Sequence, residues 1–117
     1  MPVLDASAIL NAFPFHFESE IKYLTVPEVV RELKDSRSRA IAEAGVQAGI
    51  LLVTSPSEEF VEKVKKIGKR FGLSITDVKA LALALEKEEE IWTDDYGIQK
   101  VAKRLGVRYK PVIHSGV

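Results

Sequence analysis

The sequence predicts an α/β fold, a three-layer α/β/α sandwich around a central parallel sheet. Three observations carry that prediction. The β-rich runs are short and apolar, and helical segments separate them. Proline, glycine and capping residues punctuate those segments where helices should start and stop. One helix, opening at Ser74-Ile75-Thr76-Asp77, is apolar almost all round, as a helix buried in the middle of a sandwich would be. No linker, low-complexity stretch or internal repeat interrupts the pattern, so residues 1–117 read as one domain.

The elements follow in order. Val3-Leu4 is a short strand, and Asp5 to Leu10 opens a helix that Pro14 stops. Tyr23 to Val26 is β-rich, and Pro27 is suited to the first position of a helix. That helical region runs from Glu28, breaks near Asp35-Ser36 and resumes to Gln47. Ile50 to Thr54 reads as the cleanest buried strand. Ser55-Pro56-Ser57-Glu58 offers a cap, a proline at the first helical position and a glutamate at the third, so a helix starts there and ends at Phe71-Gly72. In the next helix Val78, Leu81, Ala82 and Leu85 fall at helical spacing, and Ala80, Leu83 and Ala84 fill other faces. Glu90 to Thr93 is a strand, Tyr96 to Leu105 an amphipathic helix closed by Gly106, and Val107 to Ile113 a last strand.

At 117 residues, 13.0 kDa and 46% hydrophobic content, the chain can bury a real core. Seventeen basic residues balance seventeen acidic ones, which excludes a globally basic nucleic-acid binder. The absence of cysteine excludes a disulfide scaffold, a thiol nucleophile and a zinc ribbon within these residues. No apolar run approaches the roughly 18 residues of a membrane span, and the start lacks a basic signal-peptide region, so a soluble, cytoplasmic protein with no membrane partner is expected. Without a Gly-x-Ser-x-Gly elbow, His16 and His114 suggest no hydrolase triad, and Gly45/Gly49 and Gly68/Gly72 build no nucleotide-binding loop.

The acids are more informative. In a parallel sheet the reactive crevice lies beyond the carboxyl ends of the strands. Asp5, Glu28 and Asp94-Asp95 each follow a strand, and Asp77 opens the apolar helix. Carboxylates converging on one edge repel each other, and a hard divalent cation, Mg²⁺ or Mn²⁺, suits oxygen-only ligands. Such an ion can activate water against a phosphodiester. Each acid equally fits a helix N-terminus, and Thr25-x-x-Glu28 and Ser74-x-x-Asp77 match a capping box. Caps do not require the doubled Asp94-Asp95, nor an acid heading so apolar a helix. From the pattern alone, caps and metal site both stand.

Val3-Leu4-Asp5-Ala6-Ser7, Val26-Pro27-Glu28-Val29-Val30, Leu73-Ser74-Ile75-Thr76-Asp77 and Thr93-Asp94-Asp95 together resemble the ordered acidic signature of the PIN-domain ribonucleases. The likeness covers essentially the whole chain and implies a PIN-like version of the sandwich. The segment from Thr93 to Gly106, and Pro27 to Asp35, look like the subgroup that trims the 3′ end of small-subunit ribosomal RNA during ribosome assembly. The resemblance implies metal-dependent hydrolysis of single-stranded RNA, leaving 5′-phosphate and 3′-hydroxyl ends. It would make Asp5, Asp77 and Asp95 metal ligands, with Asp94 as an alternative to Asp95. Glu28 would act from the same cluster, and Ser7 and Thr93 would buttress the carboxylates. The subgroup normally continues into a zinc ribbon. A free-standing PIN domain could instead be a VapC-type toxin held by an antitoxin, although Tyr96-Gly97 departs from the toxin pattern, or an RNA-binding module with little activity. Homodimers are common in the family.

Charge is unevenly spread. From Tyr96 onward Lys100, Lys103, Arg104, Arg108 and Lys110 occur without an acid, which suits a track for an RNA backbone. A second run, Lys63, Lys65, Lys66, Lys69 and Arg70, reads as an ordinary solvated helix face. Phe13-Pro14-Phe15-His16-Phe17 reads as a loop anchor or interface more than a base-stacking surface, and Trp92 as packing.

Overall fold

The computed structural model describes residues 1–11 and 21–112. Among them a five-stranded, all-parallel sheet carries the helices on its faces, as the alternating pattern predicts. In chain order the elements are β1 (Val3–Leu4), α1 (Ala6–Asn11), β2 (Tyr23–Thr25), α2 (Pro27–Glu32), α3 (Ser36–Gln47), β3 (Leu51–Val53), α4 (Glu58–Gly68), a 3₁₀ turn (Lys69–Phe71), α5 (Ile75–Lys87), β4 (Ile91–Trp92), α6 (Tyr96–Leu105) and β5 (Tyr109–Lys110).

The strands lie side by side as β3-β2-β1-β4-β5, with Val3 in register with Leu24 on one side and Ile91 on the other. The first three strands step outward in one direction, and the chain then crosses back to lay β4 against β1. At that reversal the connections leaving β1 and β4 diverge and open a crevice beyond their carboxyl ends. Asp5 and the Thr93-Asp94-Asp95 loop face each other across it.

Helix α5 anchors the core. Ala80, Leu81, Ala82, Leu83 and Ala84 are all fully buried, so it has no solvent face along its middle. Burying a leucine side chain is worth about 1.5–3 kcal/mol, and Leu81 and Leu83 pack with Val3, Leu4 and Ile91 in one cluster. The helix opens with a complete capping box: Ser74 Oγ accepts from Asp77 N at 3.1 Å, and Asp77 Oδ2 accepts from Ser74 N at 3.2 Å. A second cap organises the entry to α3, where Asp35 Oδ2 accepts from Ser38 N and Ser38 Oγ. Trp92 packs on the core and meets the Tyr23 ring edge-on at 5.5 Å.

Several local expectations need correcting. The run Ile50–Thr54, read as a buried strand, is an edge strand: Leu51 is buried, but Leu52 and Val53 are 37% and 40% exposed. A short apolar run looks the same in the middle of a sheet as at its margin. Thr25 and Glu28 form no capping box, because Thr25 is buried and its hydroxyl donates to Leu4 O at 2.8 Å, while Val26 takes the cap position. Helix α4 starts at Glu58, after Ser57 rather than Ser55, and Ser57 makes no side-chain cap; its amide donates to Glu86 Oε1 at 2.8 Å. The final strand is Tyr109–Lys110, and Ile113 and His114 lie outside the described residues, as do Pro14 and the Phe13–Phe17 cluster with His16.

Gly106 ends α6 in the left-handed region at φ 75°, with nothing within 4 Å of where a Cβ would stand. The only penalty for a side chain there is backbone strain. Gly106→Ala should therefore lower unfolding free energy by about 1 kcal/mol in urea titration, with an unchanged circular-dichroism spectrum.

Candidate active site

Asp5 begins the loop after β1 and is 3% exposed. Three donors hold its carboxylate in place. Oδ1 accepts from Ser7 Oγ at 2.7 Å and from Ala8 N at 2.8 Å, and Oδ2 accepts from Thr93 Oγ1 across the crevice. The two hydroxyls cannot turn away, because each already accepts an amide hydrogen: Asp94 N donates to Ser7 Oγ at 3.0 Å and Asp95 N to Thr93 Oγ1 at 2.9 Å. Their protons are thereby aimed at Asp5. Gln99 Nε2 holds the Thr93 carbonyl at 2.9 Å and steadies the same loop. Burial pushes the Asp5 carboxyl up to about 6; its hydrogen bonds oppose that rise and the charge of Asp77 adds to it.

Asp77, placed by the α5 capping box, is also raised. Burial is the main cause, and the charges of Asp95 and Glu32 contribute. Asp95 caps α6 through Oδ1, which accepts from Ile98 N at 2.9 Å. The close fit of Gly97 sets the approach of α6, since a Cβ there would lie 3.3 Å from Leu73 and 3.5 Å from the Phe71 carbonyl. Asp77 thus lies among like charges, with Asp5, Asp95 and Glu32 around it.

Two expected acids are engaged elsewhere. Glu28 Oε2 accepts from Lys79 Nζ at 2.9 Å, with Arg31 at 3.9 Å, so it ties α2 to α5. The Lys79 hydrogen bond holds the Glu28 carboxyl below the ordinary glutamate value. Its Oε1 is the one buried side-chain polar atom without a hydrogen-bond partner among the described residues. Asp94 Oδ1 accepts from Val112 N at 2.7 Å, holding the segment after β5. Sequence reasoning missed Glu32, Lys79 and Gln99. Glu32 was findable, since it lies four residues after Glu28 and therefore on the same face of α2. Lys79 and Gln99 act across elements, where spacing gives no signal.

Lys100, Lys103 and Arg104 line an open groove with Phe71. Arg108 is separate: it borders a different groove with Glu88, Glu89 and Gly106, at the ends of α5 and α6 remote from their acidic starts. The Lys63–Arg70 run is exposed along α4 and the 3₁₀ turn, the solvated face expected. No helix among the described residues is long and apolar enough to cross a membrane.

Among the described residues no three His, Cys, Asp or Glu side chains already close around one point as they would around an ion. The donor chemistry nevertheless fits a hard divalent cation. The donors are all carboxylate oxygens, and the like charges of Asp77, Asp95 and Glu32 add to the rise that burial produces at Asp5 and Asp77.

Residues 3–86 match the family model described as the PIN domain of ribonuclease. The chain belongs to the PIN-domain ribonuclease family. It is 40% identical over 113 residues to Endoribonuclease Nob1 of Methanocaldococcus jannaschii, an alignment covering 94% of this chain and 55% of that protein. It is 32% identical over 117 residues to the 20S-pre-rRNA D-site endonuclease nob1 of Schizosaccharomyces pombe, covering 97% of this chain and 30% of that one. The chain therefore spans about half the length of the first relative and under a third of the second. The crystal structure of FitAcB from Neisseria gonorrhoeae shares the fold, with a TM-score of 0.61 at 15% identity over 97% of this chain and 99% of that chain. PIN nucleases generally depend on divalent metal.

An acid whose folded value is raised holds its proton more tightly in the folded state than in the unfolded one. The stability Asp5 gains from that proton is present below about 4 and lost as pH rises through about 6. In EDTA a carboxyl ¹³C titration should show one aspartate with a midpoint near 6, and unfolding free energy should drop by as much as about 3 kcal/mol between these limits. Added Mg²⁺ should move that midpoint down and restore stability at pH 7; a midpoint near 4 without metal would contradict the assignment.

Proposed function

We propose that this chain is the catalytic domain of a metal-dependent endoribonuclease that cuts single-stranded RNA in the cytoplasm, with the 3′ end of small-subunit ribosomal RNA as its substrate. The observation that carries the reading is the buried, doubly buttressed Asp5 at the point where the strand order reverses, repelled by Asp77, which is in turn repelled by Asp95. The names of the relatives, an endoribonuclease and a 20S-pre-rRNA D-site endonuclease, support the reaction and the substrate class.

In this reading Asp5, Asp77 and Asp95 hold Mg²⁺ or Mn²⁺, and Glu32 completes the negative field from α2. Bound there, the ion would activate a water and neutralise charge on the leaving oxygen. The protein's own contribution is preorganisation. Ser7 and Thr93 fix the rotamer of Asp5, the amide of Ser74 fixes Asp77, and the amide of Ile98 fixes Asp95. These carboxylates need no reorientation when charge builds on the phosphate. Glu28 acts at one remove, by bracing α2 on α5 through Lys79. Lys100, Lys103 and Arg104 supply positive charge for the RNA backbone.

A labelled single-stranded RNA spanning a small-subunit ribosomal 3′ end should be cut with Mn²⁺ and left intact in EDTA. Asp5→Asn and Asp77→Asn should each reduce the rate roughly 100-fold or more, the scale of removing a group that stabilises developing charge. Glu32→Gln should lose more activity than Glu28→Gln. Full activity in both aspartate variants would overturn the reading, and scattered cutting in place of one dominant site would replace the ribosomal substrate with a toxin-like one.

A further inference from the structure

The face of α6 turned away from the core carries a feature the hydrolytic centre does not use. Ile98, Val101 and Ala102 point into the protein, as an amphipathic helix requires. Tyr96 sits at the first position of this helix and is 70% exposed, more than any other large hydrophobic side chain among the described residues. It directly follows Asp95. An exposed aromatic ring contributes little to folding, yet this one belongs to the residue after the Asp95 cap and has a cation on it: Lys100 Nζ lies 4.6 Å from the ring centroid. One ammonium group covers only one face of a ring. With 70% of the residue exposed, the other face is open.

The pattern repeats along the helix. Arg104 lies 5.2 Å from the centroid of Phe71, and an open groove of about 510 Å³ runs between Phe71, Lys100, Lys103 and Arg104. Tyr96 and Arg104 are about 12 Å apart along the helix axis at 1.5 Å per residue. Aromatic rings interleaved with cations along a groove are how single strands are held without sequence readout, bases on the rings and phosphates on the cations.

The geometry points to Tyr96 as a base-stacking platform for a nucleotide next to the scissile phosphate, with Lys100 beneath the ring and the Lys103–Arg104 groove taking the flanking backbone. This rests on the nuclease reading above and adds the residue that seats the strand. An isolated pair of Tyr96 and Lys100 on a solvated helix would do nothing for RNA; its place directly after the Asp95 cap, with Lys100 shared with the Phe71–Arg104 groove, is what gives it a role. The occupant is single-stranded RNA, because duplex bases present no free ring face to stack.

The test uses the 117-residue chain and an oligoribonucleotide spanning a small-subunit ribosomal 3′ end, with 2-aminopurine placed in turn at positions flanking the cut. Binding is read in EDTA by anisotropy and by 2-aminopurine quenching, and cutting is read separately with Mn²⁺. Tyr96→Ala should weaken binding on the order of 10-fold and abolish quenching at one flanking position, while Tyr96→Phe behaves as wild type. An abasic residue at that position should erase the difference between wild type and Tyr96→Ala. Wild-type affinity in Tyr96→Ala, or the same loss on the abasic RNA, would overturn the platform while wild-type cutting kept the nuclease reading intact. Wild-type protein that neither binds nor cuts would overturn both.

Discussion

The structure depends on one buried carboxylate. Asp5 can stay ionised at 3% exposure only because Ser7, Ala8 and Thr93 point three donors at it. The hydroxyls of Ser7 and Thr93 are available only because the amides of Asp94 and Asp95 occupy their lone pairs. This two-tier arrangement stitches the loop after β1 to the loop after β4, 88 residues away in sequence. It requires β1 and β4 to be neighbours, and so requires the reversal of strand order. The buried helix α5 that delivers the chain to β4 carries Asp77 in its first turn, which closes the acidic edge.

Hydrogen bonds alone do not balance this arrangement. They favour the ionised form of Asp5, yet burial and the Asp77 charge still win and raise its carboxyl to about 6. Asp77 is raised for the same reasons, with Asp95 and Glu32 as its neighbours. A group of partly desolvated like charges costs folding stability, and proteins keep such strain where it serves binding or catalysis. The ion pair of Glu28 with Lys79 shows the contrast. There a counter-ion is built in, the carboxyl falls, and the result is a brace between helices.

The features legible in sequence were those with a local signature. The helices over Tyr96–Leu105 and Ile75–Lys87, their caps at Asp95 and Ser74 and the glycine stop at Gly106 were read nearly as they stand, because each depends on a few consecutive residues. Asp5, Asp77 and Asp95 were legible as acids after strands or at a helix start. Partnerships across elements were not. Glu28 reads as a member of the cluster because it follows the strand Tyr23–Val26; the sequence gives no sign that Lys79 on another helix pairs with its carboxylate. Asp94 reads as an alternative to Asp95, and its hydrogen bond from the Val112 amide has no local signature. Strand β3 looked buried because an apolar triplet carries no information about which side of the sheet it flanks. Arg108 shares a basic run with Lys100 but lies past the end of α6, thirteen residues after Asp95, and borders a different groove.

Binding of a divalent cation at Asp5 and Asp77 is tested most directly by anomalous X-ray scattering from crystals soaked in Mn²⁺. A single strong peak bonded to carboxylate oxygens of Asp5 and Asp77, absent after soaking in EDTA and weakened in Asp77→Asn crystals, is the predicted result. No peak at the carboxyl edge of β1 and β4 at saturating Mn²⁺, or a peak on Glu28 away from Asp5, would contradict the account.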